Sequence, residues 1–243
     1  MNLIIDVGNT VAKLAVFENN KLIHKEVVEA IQLEERVLTI KVEFPKIKKA
    51  IISSVAKLRG NDFFMVKNNF NLLILDAALK FPFKNLYSTP KTLGVDRLAL
   101  ICGAVNEFPK KNVLVIDAGT CITFDFVNSK SEYLGGAISP GIRMRYKALN
   151  NLTANLPLLE TEMPSHFIGN STKNSINSGV IYGVLNEIDG VINAYKEEFS
   201  DLTVILTGGD SNFLSKQLKS SIFANSNFLL EGLNFILKYN SDE

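Results

Sequence analysis

What is scarce in this sequence narrows its function before any motif is considered. Cysteine occurs only twice in 243 residues. Cys102 and Cys121 both sit among apolar neighbours, too few and too isolated for a disulfide framework or a cysteine-built metal site. Charge of either sign is not in excess, with 26 basic against 25 acidic residues. The basic residues form no stripe, so a nucleic-acid partner is not expected. No run is long and uncharged enough to span a bilayer, and no membrane partner is expected. The apolar start is broken by Asp6, Asn9 and Lys13 and lacks the basic flank and cleavage site of a secretion signal. His24 and His166 have no partner at metal-ligand or triad spacing. What remains is a chain of 47% hydrophobic residues with a real core, and the cytoplasm is its expected compartment.

The stretch Leu3–Phe17 organises the rest. Two apolar runs, Leu3 to Val7 and Val11 to Phe17, are joined at Gly8-Asn9-Thr10, the pattern of a β-hairpin. Gly8 allows the backbone to turn and to approach a ligand closely. Freed N–H groups, the Thr10 hydroxyl and the Lys13 ammonium are donors suited to phosphate oxygens. Asp6 repels phosphate unless a cation lies between them, and Mg²⁺ held by one carboxylate plus nucleotide phosphates is the usual solution. An ordinary Gly-Asn turn is the bland alternative.

The pattern recurs. Val113–Ile116 runs into Asp117-Ala118-Gly119-Thr120, and a second apolar run begins at Cys121. Two Asp-x-Gly hairpins imply an internal duplication, and Val204–Leu206 leading into Thr207-Gly208-Gly209 adds a strand ending in paired glycines. This resembles the actin, Hsp70 and sugar-kinase superfamily. The resemblance implies an α/β fold of two duplicated actin-like (ribonuclease H-like) halves, residues 1–111 and 112–243. Each half would be a mixed sheet flanked by helices, with ATP in the cleft between them.

Between these landmarks, strands alternate with helices. Leu22–Val28 reads as a strand, and Glu29–Lys41 as a helix with Ile31, Val37 and Leu38 apolar. Lys48–Val55 and Leu72–Leu75 read as further strands, and Phe81–Pro90 as an irregular loop. Thr92–Ala104 reads as a buried helix with Gly94-Val95-Asp96-Arg97 at its first turn. The macrodipole accounts for an acid there but not for Arg97. Ser131–Ala137 reads as a strand ending at Gly135-Gly136. Ser139-Pro140-Gly141 would open a helix, with Pro tolerated early. On that helix Arg143, Arg145 and Lys147 are either phosphate ligands or a solvated basic face. A long helix follows Gly169-Asn170-Ser171-Thr172, where Ser171 or Thr172 suits the cap. Its Gly179, Gly183 and Gly190 weaken it and suggest close packing, conceivably at a subunit interface.

Taken together, Asp6–Lys13, Gly94–Arg97 and Asp117–Thr120 are narrower than the superfamily. With Gly135-Gly136, Pro140-Gly141 and the Thr172 segment they resemble, over nearly the whole chain, a type III pantothenate kinase. That resemblance implies ATP-dependent phosphorylation of pantothenate, the first step towards coenzyme A. It implies that Asp6, Val7, Gly8, Asn9, Thr10, Val11, Ala12 and Lys13 hold the ATP phosphates, with Thr120 adding a hydroxyl. Tyr87, Gly94, Val95, Asp96, Arg97 and Thr172 would contact pantothenate, with Asp96 as general base. Asp117 would hold a monovalent cation, potassium or ammonium, and the protein would be a homodimer. Arg97 would pair either with the substrate carboxylate or with Asp96. Another small-molecule kinase of the superfamily, or a non-catalytic nucleotide-binding regulator, are the competing readings.

Overall fold

A computed structural model describes residues 1–8, 11–54 and 64–241, so Asn9, Thr10 and Val55 lie outside the described residues. The chain divides into two units. Unit 1 comprises Met1–Pro109, Ser131–Tyr133 and Phe228–Glu243, and unit 2 comprises Lys110–Lys130 and Leu134–Asn227.

In unit 1, β1 (Asn2–Val7) and β2 (Val11–Glu18) form the expected hairpin, and β3 (Lys21–Glu29) continues it. A 3-10 turn over Ala30–Gln32 leads into α1 (Leu33–Glu43), then come β4 (Lys49–Ser54), α2 (Phe64–Asn69) and β5 (Asn71–Ile74). The sheet order is β3-β2-β1-β4-β5. β1 is antiparallel to β2 and parallel to β4. Central β1 is apolar without alternation because both of its faces are covered, and Leu3, Ile4 and Ile5 are fully buried. The helix after β3 is phased differently from the sequence expectation. Regular helix begins only at Leu33, so Leu33, Val37 and Ile40 form its buried stripe, while Ile31 is 90% exposed.

A two-residue strand β6 (Lys84–Asn85) interrupts the loop before α3 (Val95–Glu107). The last helix of the chain, α7, spans Phe228–Tyr239 and packs on α3. Their crossing is close because Gly103 and Gly232 face the partner helix: a Cβ at Gly232 would lie 2.1 Å from the Ala99 carbonyl oxygen. A linear division of the chain at 111/112 therefore differs from the observed grouping, since packing on α3 draws the final helix into unit 1.

Unit 2 repeats the plan. Its strands are β7 (Val113–Ala118), β8 (Cys121–Val127), β9 (Glu132–Pro140, whose first two residues group with unit 1), β10 (Thr203–Thr207) and β11 (Phe223–Ala224), in a six-stranded sheet of order β11-β10-β7-β8-β9-β6. β6 pairs with Glu132 and Tyr133 at the start of β9. Again the hairpin strand is antiparallel to its successor and parallel to the next strand inward. Both units thus carry the same five-strand order around an Asp-bearing hairpin, the spatial counterpart of the duplicated motif. Three helices complete the unit: α4 (Ile142–Asn151), α5 (Thr172–Glu198) and α6 (Ser211–Leu214).

Three local expectations for unit 2 are corrected. β9 does not end at Gly135-Gly136 but passes through them to Pro140. Gly136 lies so close to β8 that a Cβ there would sit 1.6 Å from the Phe124 carbonyl oxygen, so it serves close strand approach, while Gly135 takes φ +110°. Pro140 ends the strand and Gly141 caps α4, so proline is not in the helix's first turn. Two of the α5 glycines do not mark tight packing among the described residues: a Cβ at Gly179 or Gly190 would meet none of them within 4 Å. As expected, Ser171 caps α5, accepting the Asn174 N–H at 3.2 Å.

Candidate active site

Strand register brings the first cluster together in unit 1. Asp6 ends β1; its antiparallel partner on β2 is Lys13 and its parallel partner on β4 is Ser53. Lys13 Nζ lies 3.7 Å from Asp6 Oδ2. Asp6 is only 7% exposed and Ser53 is fully buried. Burial pushes the Asp6 carboxyl above its usual range; Lys13 pulls it down and neighbouring Asp96 pushes it further up. Asp6 is thus a buried acid only partly neutralised by its lysine, a setting that favours a further cation beside it.

Gly8 plays a different part from the one its sequence suggests. Its N–H donates to the Val11 carbonyl at 3.0 Å, and Gly119 N–H donates to the Cys121 carbonyl at 2.9 Å. Each glycine amide closes its own turn and is not a spare donor for phosphate. In unit 2, Gly141 N–H caps the Thr120 carbonyl at 3.1 Å.

Gly94 is the N-cap of α3, which places Val95, Asp96 and Arg97 in its first turn. Asp96 Oδ1 folds back to accept the Arg97 backbone N–H at 2.9 Å. Only glycine at 94 allows this, since a Cβ there would lie 2.4 Å from that oxygen. Arg97 is 5% exposed, and its guanidinium lies 5.5 Å from the Tyr87 ring centroid. Tyr87 in turn stacks on Tyr133 at 6.0 Å. This aromatic support explains how an arginine is kept at a helix start, where the macrodipole opposes it. Unit 1 therefore groups Asp6, Lys13 and Asp96 electrostatically and holds Arg97 against Tyr87.

In unit 2, Asp117 ends β7 and its cross-strand partner is Thr123. Gly208 follows β10 with φ +94°, and a Cβ there would fall 2.3 Å from the Ala118 carbonyl oxygen and 2.4 Å from Asp117 Oδ1. Asp210 N–H donates to that Ala118 carbonyl at 2.9 Å, and burial raises the Asp210 carboxyl pKa. Thr172, first residue of α5, lines an apolar cleft of about 470 Å³ with Leu149, Leu156, Ser175, Ile176 and Gly179. The arginines of α4 are engaged elsewhere. Arg145 pairs with Glu187 and donates to the Pro140 carbonyl, and Arg143 donates to the Leu159 carbonyl at 2.6 Å and pairs with Glu160 at 3.1 Å. Their expected alternative role as phosphate ligands gives way to holding α4 in place.

Two residues that the sequence reading passed over stand beside the aspartates: Ser53 and Thr123. Each is recognisable only once register is known. Among the described residues no three His, Cys, Asp or Glu side chains gather as a metal-binding group. A divalent ion here would take one protein carboxylate and ligand phosphates, the arrangement open to Mg²⁺ at Asp6. Around Asp117 the donors are carboxylate, carbonyl and hydroxyl oxygens, which suit a hard cation.

Asp6 also makes a measurable stability prediction. Its raised pKa means that the folded chain keeps this proton to higher pH than the unfolded chain does. Asp6 therefore weakens the fold as pH rises from the ordinary carboxylate range through the raised value. At neutral pH, Asp6→Asn is expected to raise Tm by roughly 2–4 °C for each kcal/mol recovered, while turnover is lost. Thermal melts across pH check the sign: the gain must shrink as the medium is acidified. A lower Tm for the variant at neutral pH would overturn this account.

Two units with one strand order, each centred on an Asp-x-Gly hairpin, define the actin-like α/β fold of the sugar kinases. A ROK family glucokinase from Streptomyces griseus, solved with glucose and AMPPNP, matches with a TM-score of 0.55 at 9% identity, covering 100% of this chain and 99% of that one. A Campylobacter jejuni protein assigned to the Baf family of transcriptional activators matches with a TM-score of 0.65 at 23% identity, over 99% of this chain and 100% of that one. Sequence narrows the class. The family model for type III pantothenate kinase matches residues 2–194. The type III pantothenate kinase of Christiangramia forsetii is 53% identical over 243 residues, 100% of both chains. The chain belongs to the type III pantothenate kinase family.

Proposed function

We propose that this enzyme transfers the γ-phosphoryl group of ATP to the primary hydroxyl of pantothenate, giving 4'-phosphopantothenate for coenzyme A synthesis. The family match over residues 2–194 and the relative aligned over the whole chain carry this reading, and the geometry supports a distribution of roles. Residues 6–13 hold the ATP phosphates, with the Lys13 ammonium as a donor and Asp6 facing them through Mg²⁺. Thr120 contributes its hydroxyl to the nucleotide. Mg²⁺ held there would offset charge on the transferring group, and the protein's share is positioning and electrostatic stabilisation.

Asp96 is the general base. Its Oδ1 accepts the Arg97 N–H, which fixes the carboxylate that takes up the alcohol proton. Gly94, Val95 and Tyr87 shape the pantothenate site with Arg97. Its guanidinium, held on Tyr87, presents a planar fork to the substrate carboxylate. Thr172 contacts pantothenate. The protein works as a homodimer in the cytoplasm. No helix among the described residues is long and apolar enough to cross a membrane.

Asp117 holds potassium or ammonium. A coupled ADP-release assay with Mg²⁺, ATP and pantothenate, run with and without KCl, tests the whole reading. Pantothenate-dependent turnover that rises with KCl is the expected result; ATP binding without turnover would favour another acceptor alcohol. Asp117→Ala is expected to turn over poorly and to be only partly rescued by added potassium. An unchanged potassium dependence in this variant would remove the cation from Asp117.

A further inference from the structure

The two hairpins differ at one cross-strand position. Opposite Asp6 stands Lys13, whose ammonium lies 3.7 Å from the carboxylate. Opposite Asp117 stands Thr123. Directly opposed residues of an antiparallel pair project from the same face, with Cβ atoms about 4.5–5.5 Å apart. Thr123 Oγ1 is buried and has no hydrogen-bond partner among the described residues. A buried hydroxyl beside a carboxylate would ordinarily donate to it or to a backbone carbonyl. An oxygen left with its lone pairs uncommitted in that position is suited to a cation. The nearby Ala118 carbonyl and Asp117 carboxylate oxygens close on Gly208 from one side, at 2.3 and 2.4 Å from where its Cβ would be. They add oxygen donors of the same hard character.

We propose that Thr123 Oγ1 is a ligand of the monovalent cation at Asp117. The second hairpin then takes from solution the positive charge that Lys13 supplies covalently in the first. This rests on the reading of Asp117 as the cation residue and extends it to a second side chain. It also predicts that ammonium serves in place of potassium, because the site is the vacated place of a lysine ammonium. A threonine is small enough to leave that place open and polar enough to face the ion.

The test follows Tm of the full chain with saturating Mg²⁺-AMPPNP. KCl is titrated against tetramethylammonium chloride at constant ionic strength, and turnover is measured in parallel. The wild type is expected to gain Tm with KCl. Thr123→Val should need roughly 10–100-fold more KCl for the same gain, and Thr123→Ser should titrate close to the wild type. Thr123→Lys, which copies the first hairpin, should lose the KCl response in Tm and turn over equally with and without KCl. If the wild type responds, Asp117→Asn does not, and Thr123→Val titrates like the wild type, Thr123 is no ligand while the Asp117 reading survives. If Asp117→Asn titrates like the wild type, the Asp117 reading itself fails. Should Thr123→Val not fold, a folded Thr123→Lys that still requires KCl overturns the proposal.

Discussion

Asp96→Asn is expected to lower kcat by ~10²–10⁴-fold, about 3–5 kcal/mol of barrier, with KM for ATP little changed. The substitution is structurally mild. An asparagine Oδ1 can still accept the Arg97 N–H now held at 2.9 Å, so the start of α3 keeps its local bond. What disappears is the basic oxygen that, in the proposed mechanism, accepts the alcohol proton. A second consequence reaches Asp6. Asp96 is one of the groups raising the Asp6 pKa, so its neutralisation should let Asp6 ionise at lower pH. Steady-state kinetics with a pH profile and a melting curve separate these effects. A variant with wild-type kcat would exclude Asp96 as the base, whereas a matched loss of ATP affinity would make it a nucleotide contact.

Gly136→Ala should have the largest effect on stability. Its Cβ would stand 1.6 Å from the Phe124 carbonyl oxygen and 3.2 Å from the Asp125 Cα. Both are backbone atoms of β8, which no rotamer change can move aside. β9 would have to separate from β8, or β8 from β7, at a cost on the order of 3 kcal/mol or more. That corresponds to a Tm lower by roughly 6–12 °C. Gly190→Ala is the control of opposite sign. It lies inside α5 with none of the described residues within 4 Å of its Cβ position, so alanine should stabilise by up to ~1 kcal/mol. Equal melting temperatures for the two variants would mean that glycine acts here through chain entropy alone.

The parts legible in the sequence are those set by local pattern. Apolar runs broken at Asp-x-Gly give both hairpins, and the Gly94 cap with its apolar sequel gives α3. Register was not legible. Lys13 follows Asp6 by seven positions and Thr123 follows Asp117 by six, because one turn is a residue longer than the other. Without that count, the partner of each aspartate could not be read. Ser53 was hidden for a related reason: its neighbour Asp6 lies on a parallel strand far away in sequence. The Gly8 and Gly119 amides looked available because glycine signals a turn without saying which carbonyl its own N–H will meet. Helix phase at Ile31 failed because a 3-10 turn precedes α1, and the repeat begins only at Leu33.

The return of α7 to α3 bears on the order in which the chain becomes a protein. Unit 2 has all of its strands once Ala224 has been made, and its residues are continuous apart from Ser131–Tyr133. Unit 1 begins at Met1 yet cannot cover α3 until Phe228–Tyr239 has emerged. On the ribosome, where domains fold as units while synthesis proceeds, the half translated second is the first to have its full set of contacts. The half translated first waits with the Ala99–Gly103 face of α3 bare. Its exposure ends only when Phe228–Tyr239 has been made.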